Sequence, residues 1–159
     1  MNHVWKSLAG AGAILAAALS PAGAADYKGS GTATMTTVDS DAVTFAGGAV
    51  KQRIRLKGVI LADDPASPIH LSAQDCGGSI VVGTDGAAVN GGGYCEATDK
   101  DGDVWWLSWA DYDGNGNTWT ILGGTGKYEG MTGSGTVAVL MQSADGRLVN
   151  RWQGSWSMK

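Results

Sequence analysis

Residues Gly123–Thr136 have the sequence GGTGKYEGMTGSGT, in which six of the fourteen positions are glycine. Because glycine has no Cβ, it adopts positive φ angles and lets two backbone segments approach closely. The spacing predicts a sharp corner in which one strand ends, a compact turn packs Tyr128 and Met131 beneath it, and a new strand leaves at Gly133–Thr136. We take this corner as the point around which the rest of the chain is organised.

The same stretch does not fit a phosphate-binding loop. Its glycines match neither GxxxxGK[ST] nor a regular GxGxxG pattern. No amphipathic helix follows that could point its N-terminus at an anion. The glycines of this segment therefore indicate backbone geometry rather than nucleotide binding.

The corner sequence resembles the segment shared by the barrels of allene oxide cyclases, dirigent proteins and their small bacterial relatives. The resemblance covers about fifteen residues. It implies a single all-β domain over residues 25–159, with eight antiparallel strands in an up-and-down, calycin-like barrel around a central cavity. It implies a fold and not an activity, because the pocket residues of the cyclases and of the dirigent proteins have no match that can be placed in this chain.

The first 24 residues are typical of an export signal. A weakly basic segment, Met1–Lys6, precedes an apolar run, Ser7–Leu19, that is too short to span a bilayer. Ala22–Ala24 fits the A-x-A cleavage rule. We therefore expect a mature protein that begins near Ala25, is secreted or periplasmic in a bacterium, and has no membrane span.

The composition of the mature chain favours one all-β domain. Removing the signal leaves ten basic and fifteen acidic residues, a net charge of −5, which disfavours nucleic acids and anionic membranes as partners. Glycines bracket short β-branched and aromatic runs, which predicts roughly eight to ten strands. Closing such a sheet into a barrel removes its exposed edges.

Two further features bear on these strands. Cys76 and Cys95 are the two cysteines of the chain, and in an oxidising compartment they are expected to form a disulfide; a free catalytic thiol is the alternative. Strict alternation in Val50–Leu61 places four cations on one face of a strand. They are expected to pair with acids on neighbouring strands, and a binding stripe for an anionic partner is the alternative.

No metal site, catalytic group or cofactor is predicted. Asp111–Gly116 copies the opening of a calcium-binding loop, but its twelfth position is Leu122, where a bidentate Glu is needed. Asp99–Asp103 places its glycine one position early, and both segments are ordinary turn sequences. His70 is the one histidine of the mature chain, and no nucleophile-elbow sequence accompanies it.

Six tryptophans remain in the mature chain, all in its second half. Alternation predicts that Trp119, Trp152 and Trp156 point into the barrel. In the strand Val104–Tyr112, acids at both ends of one face predict that this face is outer. The inner face of this strand would then carry Trp106, Ser108 and Tyr112.

The outer face of the same strand would carry Trp105, Leu107 and Trp109. Monomers rarely leave such an apolar patch exposed. The assignment therefore favours a homo-oligomer, and the resemblance implies the trimers of the plant relatives.

These observations support a leading function and two alternatives. An eight-stranded barrel either fills its interior or holds one small ligand. We expect a non-catalytic barrel that binds a small hydrophobic or aromatic molecule, through the residues Trp106, Trp119, Trp152, Trp156, Gln52, Ser108 and Tyr112.

The first alternative, implied by the resemblance, is an isomerase or cyclase that shapes a reactive molecule and excludes water. Glu96 or Tyr112 with a perturbed pKa would favour it. The second alternative is a structural or interaction protein whose barrel is filled by its own side chains.

Overall fold

The chain forms a closed barrel of eight antiparallel strands. The structure, a computed structural model, describes residues 24–112 and 117–159, without the side chains at positions 111, 112 and 117. The strands are β1 (Ala25–Thr44), β2 (Val50–Ala62), β3 (Ser72–Val82), β4 (Ala88–Thr98), β5 (Val104–Tyr112), β6 (Asn117–Gly124), β7 (Thr132–Gln142) and β8 (Arg147–Met158). Each strand pairs with the next in sequence and β8 pairs with β1, which confirms the predicted up-and-down barrel.

Residues 1–23, which hold most of the predicted export signal, lie outside the described residues. No helix in the described part of the chain is long and apolar enough to cross a membrane.

The two ends of the barrel are built differently. At one end, three connections of irregular length lie between β2 and β3, β4 and β5, and β6 and β7, beside the start of β1 and the end of β8. At the other end, short turns join β1 to β2, β3 to β4 and β7 to β8. We call these the closed end and the open end, because buried side chains fill the first and the central cavity reaches the turns of the second.

The glycine-rich corner has the predicted form and forms part of the closed end. β6 ends at Gly124, a single 3-10 turn spans Gly126–Tyr128, and β7 begins at Thr132. The Thr125 N–H donates to the Val104 carbonyl at 2.7 Å and ties the corner to the start of β5. Tyr128 and Met131 are 0% and 1% exposed, so the turn packs both side chains into the core as expected.

The cationic face of β2 lies on the outside of the barrel, and three of its four cations are paired with acids on the neighbouring strands. Arg53 contacts Asp41 of β1 at 2.6 Å. Arg55 and Lys57 contact Asp75 of β3 at 3.0 and 3.3 Å. This confirms the expected pairing with the acids of adjacent strands for three of the four cations.

β1 is longer than β8, the strand with which it closes the barrel. It pairs with β8 only as far as Thr36, and a register shift follows between Thr37 and Asp39. Beyond that point β1 pairs with β2 alone, while β2 still pairs with β3 as far as Val50, so the last residues of β1 lie at an edge of the sheet at the open end.

His70 lies in the turn that precedes β3, which begins at Ser72. Its Nδ1 lies 3.1 Å from the Ala62 carbonyl oxygen, and the residue is half-buried at the closed end.

Candidate ligand cavity

A cavity of about 430 Å³ occupies the lumen of the barrel. Ligand pockets commonly measure about 300–1,000 Å³, so the space suits one small organic molecule. Its described lining contains no Asp, Glu, Lys, Arg, His or Tyr side chain. The wall is mainly aliphatic and aromatic, with five tryptophans: Trp105, Trp109, Trp119, Trp152 and Trp156.

Glycines on adjacent strands make room for these indoles. A Cβ at Gly31 would lie 2.5 Å from Cζ2 of Trp152. A Cβ at Gly135 or at Gly154 would overlap the ring of Trp119 in the same way. Because a bare backbone lets each ring lie against the sheet, the tryptophans line the cavity instead of filling it.

A second glycine pair supports the indole of Trp109. Gly78 of β3 and Gly93 of β4 face each other in register, and a Cβ at either one would collide with this ring. Trp109 pairs with Gly93 across β4 and β5. Gly78 and Gly93 are therefore explained by the indole that lies over them.

The closed end is sealed by a buried tyrosine. The Tyr128 hydroxyl donates to the Pro68 carbonyl at 2.5 Å and lies 3.1 Å from Asp99 Oδ2. Its ring is tilted at 53° against that of Trp105, with centroids 6.4 Å apart. Burial and the Asp99 carboxylate raise the pKa of Tyr128, so the phenol stays protonated as a donor.

The Asp99 carboxylate itself is almost fully buried and paired with Lys127. It also accepts the backbone N–H groups of Asp101 and Asp103 at 2.8 and 3.1 Å. Burial alone would raise the pKa of Asp99, but Lys127, these N–H groups and the Tyr128 hydroxyl stabilise the charged form, and the pKa is lowered. This cluster holds three connections of the closed end together and does not line the cavity.

Five polar side chains line the cavity: Thr37, Gln52, Gln74, Gln142 and Asn150. Within the described part of the chain, Asn150 Oδ1 is buried and has no hydrogen-bond partner. The same holds for the indole N–H groups of Trp105, Trp152 and Trp156, whereas Trp119 donates to the Thr136 carbonyl at 3.2 Å. A buried polar atom without a hydrogen-bond partner is costly. These atoms are therefore available to hydrogen-bond with a water or a bound molecule.

Four of the predicted binding residues line this cavity. Trp119, Trp152 and Trp156 point inward, and Trp152 and Trp156 meet edge to face with ring centroids 6.3 Å apart. Gln52 lies on the lining toward the open end.

The predicted orientation of β5 is wrong. Trp105, Leu107 and Trp109 line the cavity, while Trp106 is 37% exposed and Ser108 does not reach the lumen. The side chain of Tyr112 lies outside the described residues.

The error has a physical cause at the strand end. Asp103 precedes β5 and belongs to a turn, where its carboxylate accepts the Lys127 N–H at 3.2 Å, so its polarity does not report the outer face. The apolarity of the two faces is the better signal of which one turns inward. One face carries Trp105, Leu107 and Trp109, whereas the other contains the polar Ser108. Because Trp105, Leu107 and Trp109 face the lumen, they do not form the apolar outer patch that favoured a homo-oligomer.

The cysteines form the predicted disulfide, which lies in the cavity wall. Cys76 and Cys95 face each other in register on β3 and β4, and both line the lumen. A disulfide is consistent with an oxidising compartment. The candidate residues Glu96, His70 and Asp99 do not line the cavity, and the described residues include no group of three or more His, Cys, Asp or Glu that could hold a metal.

Comparison with solved structures finds the same kind of barrel in the pterocarpan synthase dirigent protein. The two chains align over 86% of each, with a TM-score of 0.54 and 10% sequence identity. At this identity the likeness establishes the fold alone. No protein-family model matches the sequence, and no curated protein matches it. The chain therefore has the barrel fold of a dirigent protein, as the corner sequence predicted.

Proposed function

We propose that this protein is an exported, non-catalytic barrel that binds one small, uncharged, hydrophobic or aromatic molecule in its lumen. The observation that carries the proposal is the cavity of about 430 Å³, whose described lining has five tryptophans and no ionisable side chain. Apolar walls with a few polar groups are the usual composition of small-molecule sites. The name of the dirigent protein with the same fold, a pterocarpan synthase, agrees with small-molecule chemistry in such a barrel.

The lining selects against a charged ligand. A buried ion without a partner loses its hydration and gains no compensating contact. The amides of Gln52, Gln142 and Asn150 offer hydrogen bonds to a neutral polar group. Gln52 and Gln142 lie toward the open end, so a bound molecule would enter with its apolar part first.

The experiment is a titration with N-phenyl-1-naphthylamine, a neutral aromatic probe, read by the emission of the probe. An anilinonaphthalene sulfonate of similar size serves as the charged comparison. We expect the neutral probe to bind at least tenfold more tightly. Equal binding of both probes, or no binding of either, would contradict the proposal.

A matched pair of variants locates the bound probe. Val137 lines the cavity in the middle of β7, and Ala138 beside it is exposed. Val137→Trp fills the lumen and should weaken probe binding at least tenfold, whereas Ala138→Trp should leave it unchanged. The same loss in both variants would place the probe elsewhere.

The isomerase or cyclase alternative uses the same cavity. Catalysis by substrate shaping needs no ionisable group. Native mass spectrometry of the exported protein distinguishes the two: an unaltered co-purified molecule supports a binding protein, and a molecule that is released with a changed structure supports an enzyme.

A further inference from the structure

A second concavity lies on the outside of the barrel, across β2, β3 and β4. It is a shallow groove of about 540 Å³ that is open to solvent. Lys51, Arg53 and Arg55 form one side, Tyr94 forms the other, and glycines form the floor between them. We call this the outer groove; the lumen lies on the other side of the same sheet.

One floor glycine has no structural explanation. Gly77 pairs with Arg55 on one side and with Tyr94 on the other, so it lies at the centre of the outer groove. A Cβ at Gly77 would meet nothing within 4 Å, and its φ is not positive. Every other strand glycine in the described residues either has a neighbour within 4 Å of such a Cβ or has a positive φ.

Glycine in a strand weakens it, by roughly 0.5–1 kcal/mol relative to alanine. At Gly77 neither packing nor backbone geometry offsets this cost. What the glycine provides is an empty floor between a cationic wall and an aromatic wall. The spacing of strands in a sheet puts these walls about 10 Å apart, enough for a six-membered ring and its substituents.

The cationic wall is held in place by acids. Arg55 donates through Nε and Nη2 to the two oxygens of Asp75, at 3.3 and 3.0 Å. Arg53 donates through Nε to Asp41 at 2.6 Å. Within the described part of the chain, the remaining guanidinium N–H groups of Arg53 and Arg55 have no partner, so they are available to an acceptor in the groove.

The aromatic wall is unusually exposed. Tyr94 is 67% accessible to solvent, although it lies in the middle of a strand of the barrel. An exposed aromatic face can pack against the C–H face of a sugar ring. Ser79, which lies beside Gly77 on the same side of β3, adds a hydroxyl to the groove.

The charge of the outer groove differs in sign from that of the chain. Three cations and two acids, Asp39 and Asp75, line it, which gives a local charge of +1, whereas the whole chain carries −4. An acidic ligand is therefore attracted here more than elsewhere on the surface.

We propose that the outer groove binds an acidic saccharide chain, with a pyranose ring stacked on Tyr94 above Gly77 and its carboxylate held by Arg53 and Arg55. The groove is open, so a chain can extend past it in both directions, whereas the lumen is closed at one end. Guanidinium groups bind carboxylates through paired, charge-assisted hydrogen bonds. This site is independent of the lumen. It takes a charged, hydrophilic ligand, whereas the lumen takes an uncharged, hydrophobic one.

Isothermal titration with hexagalacturonate, and with the neutral hexasaccharide cellohexaose as comparison, tests this site. We expect the acidic chain to bind at least tenfold more tightly than the neutral one. Its affinity should fall as salt rises from 20 to 200 mM, because exposed charges are screened. Absence of hexagalacturonate binding, or equal binding of the two sugars, overturns the proposal.

Matched variants assign the binding to the groove. Gly77→Val adds a side chain on the floor, whose Cβ meets nothing within 4 Å, and should weaken binding at least tenfold. Gly47→Val is its control, because a Cβ at Gly47 also meets nothing within 4 Å but Gly47 lies in the β1–β2 turn. Tyr94→Ala and Arg53→Gln should each weaken binding at least fivefold. Unchanged affinity in Gly77→Val and Tyr94→Ala would contradict the proposed site, and Val137→Trp should leave sugar binding intact.

Discussion

At the scale of single residues, glycine and tryptophan act together in this protein. A bulky indole lies over bare backbone in the strand pairs around Gly31, Gly78 and Gly154. The sequence suggests that glycines mark turns, and several do, but many of those in strands lie beneath an indole ring. Among the strand glycines of the described residues, Gly77 alone has neither a positive φ nor a neighbour that a Cβ would meet.

Gly154→Ala should destabilise the protein by about 1–3 kcal/mol, because the added methyl group collides with Trp119 and with the Ser134 carbonyl. Gly77→Ala meets open space and should stabilise it by about 0.5–1 kcal/mol. Chemical denaturation followed by tryptophan fluorescence measures both. A Gly154→Ala protein as stable as the parent would contradict the role given to this glycine.

Asp99 predicts a pH dependence of stability. Its pKa in the folded protein lies below the ordinary value of 3.8, because Lys127, backbone N–H groups and Tyr128 together outweigh the effect of burial. A lowered folded pKa contributes stability that is present above the unfolded pKa and is lost as the pH falls through the folded pKa. The free energy of unfolding should therefore decrease as the pH falls below about 4.

Asp99→Asn should remove part of that slope, so its unfolding free energy should depend less on pH between about 4 and 2 than that of the parent. Denaturant titrations at a series of pH values give the comparison. Asp85→Asn, at an exposed turn where an amide oxygen can still accept the Ala87 N–H, is the comparison variant for the loss of a carboxylate outside the Asp99 cluster. Equal slopes for Asp99→Asn and the parent would contradict the assignment.

At the scale of elements, two features connect strands of the barrel: the glycine-rich corner and the disulfide. The corner at Gly126–Tyr128 closes one end through Tyr128, and the disulfide joins β3 and β4 in the cavity wall. The corner was recognisable from its glycine pattern alone. The disulfide followed from the count of cysteines, but its place in the lumen depended on the register of the two strands.

Replacing both cysteines by alanine should lower the free energy of unfolding by about 3 kcal/mol, since the bridge spans 19 positions and restricts the unfolded chain. Denaturation of the double variant under non-reducing conditions measures the loss. Reducing agent should have no further effect on the variant. A parent protein that is equally stable before and after reduction would contradict this prediction.

At the scale of the whole molecule, the barrel is anchored at one end and open at the other. Three connections meet at the closed end, where Tyr128 and the ion pair of the buried Asp99 with the exposed Lys127 hold them together. The open end has short turns, and the last residues of β1 pair there with β2 alone. A ligand would enter the lumen at the open end.

Amide hydrogen exchange should differ between the closed end and the open end. Amides of β1 beyond Thr37 pair with β2 alone, so we expect residues 39–44 to exchange at least tenfold faster than residues 31–36, which pair on both sides. Mass spectrometry of peptic fragments after deuterium labelling resolves the two segments. Equal protection would indicate a partner strand on that edge, such as a second copy of the chain.

The sequence by itself determined the all-β class, the corner with Tyr128 and Met131, the pairing of Cys76 with Cys95 and the acid-paired face of β2. These depend on local backbone preferences, on composition and on the period of two in a strand, which neighbouring residues reveal directly. The tertiary structure alone decided which face of β5 turns inward, that the lumen stays open, and that Gly77 lies between Arg55 and Tyr94. Those features depend on register, because alternation divides a strand into two faces, and only its partners across the sheet determine which face is enclosed.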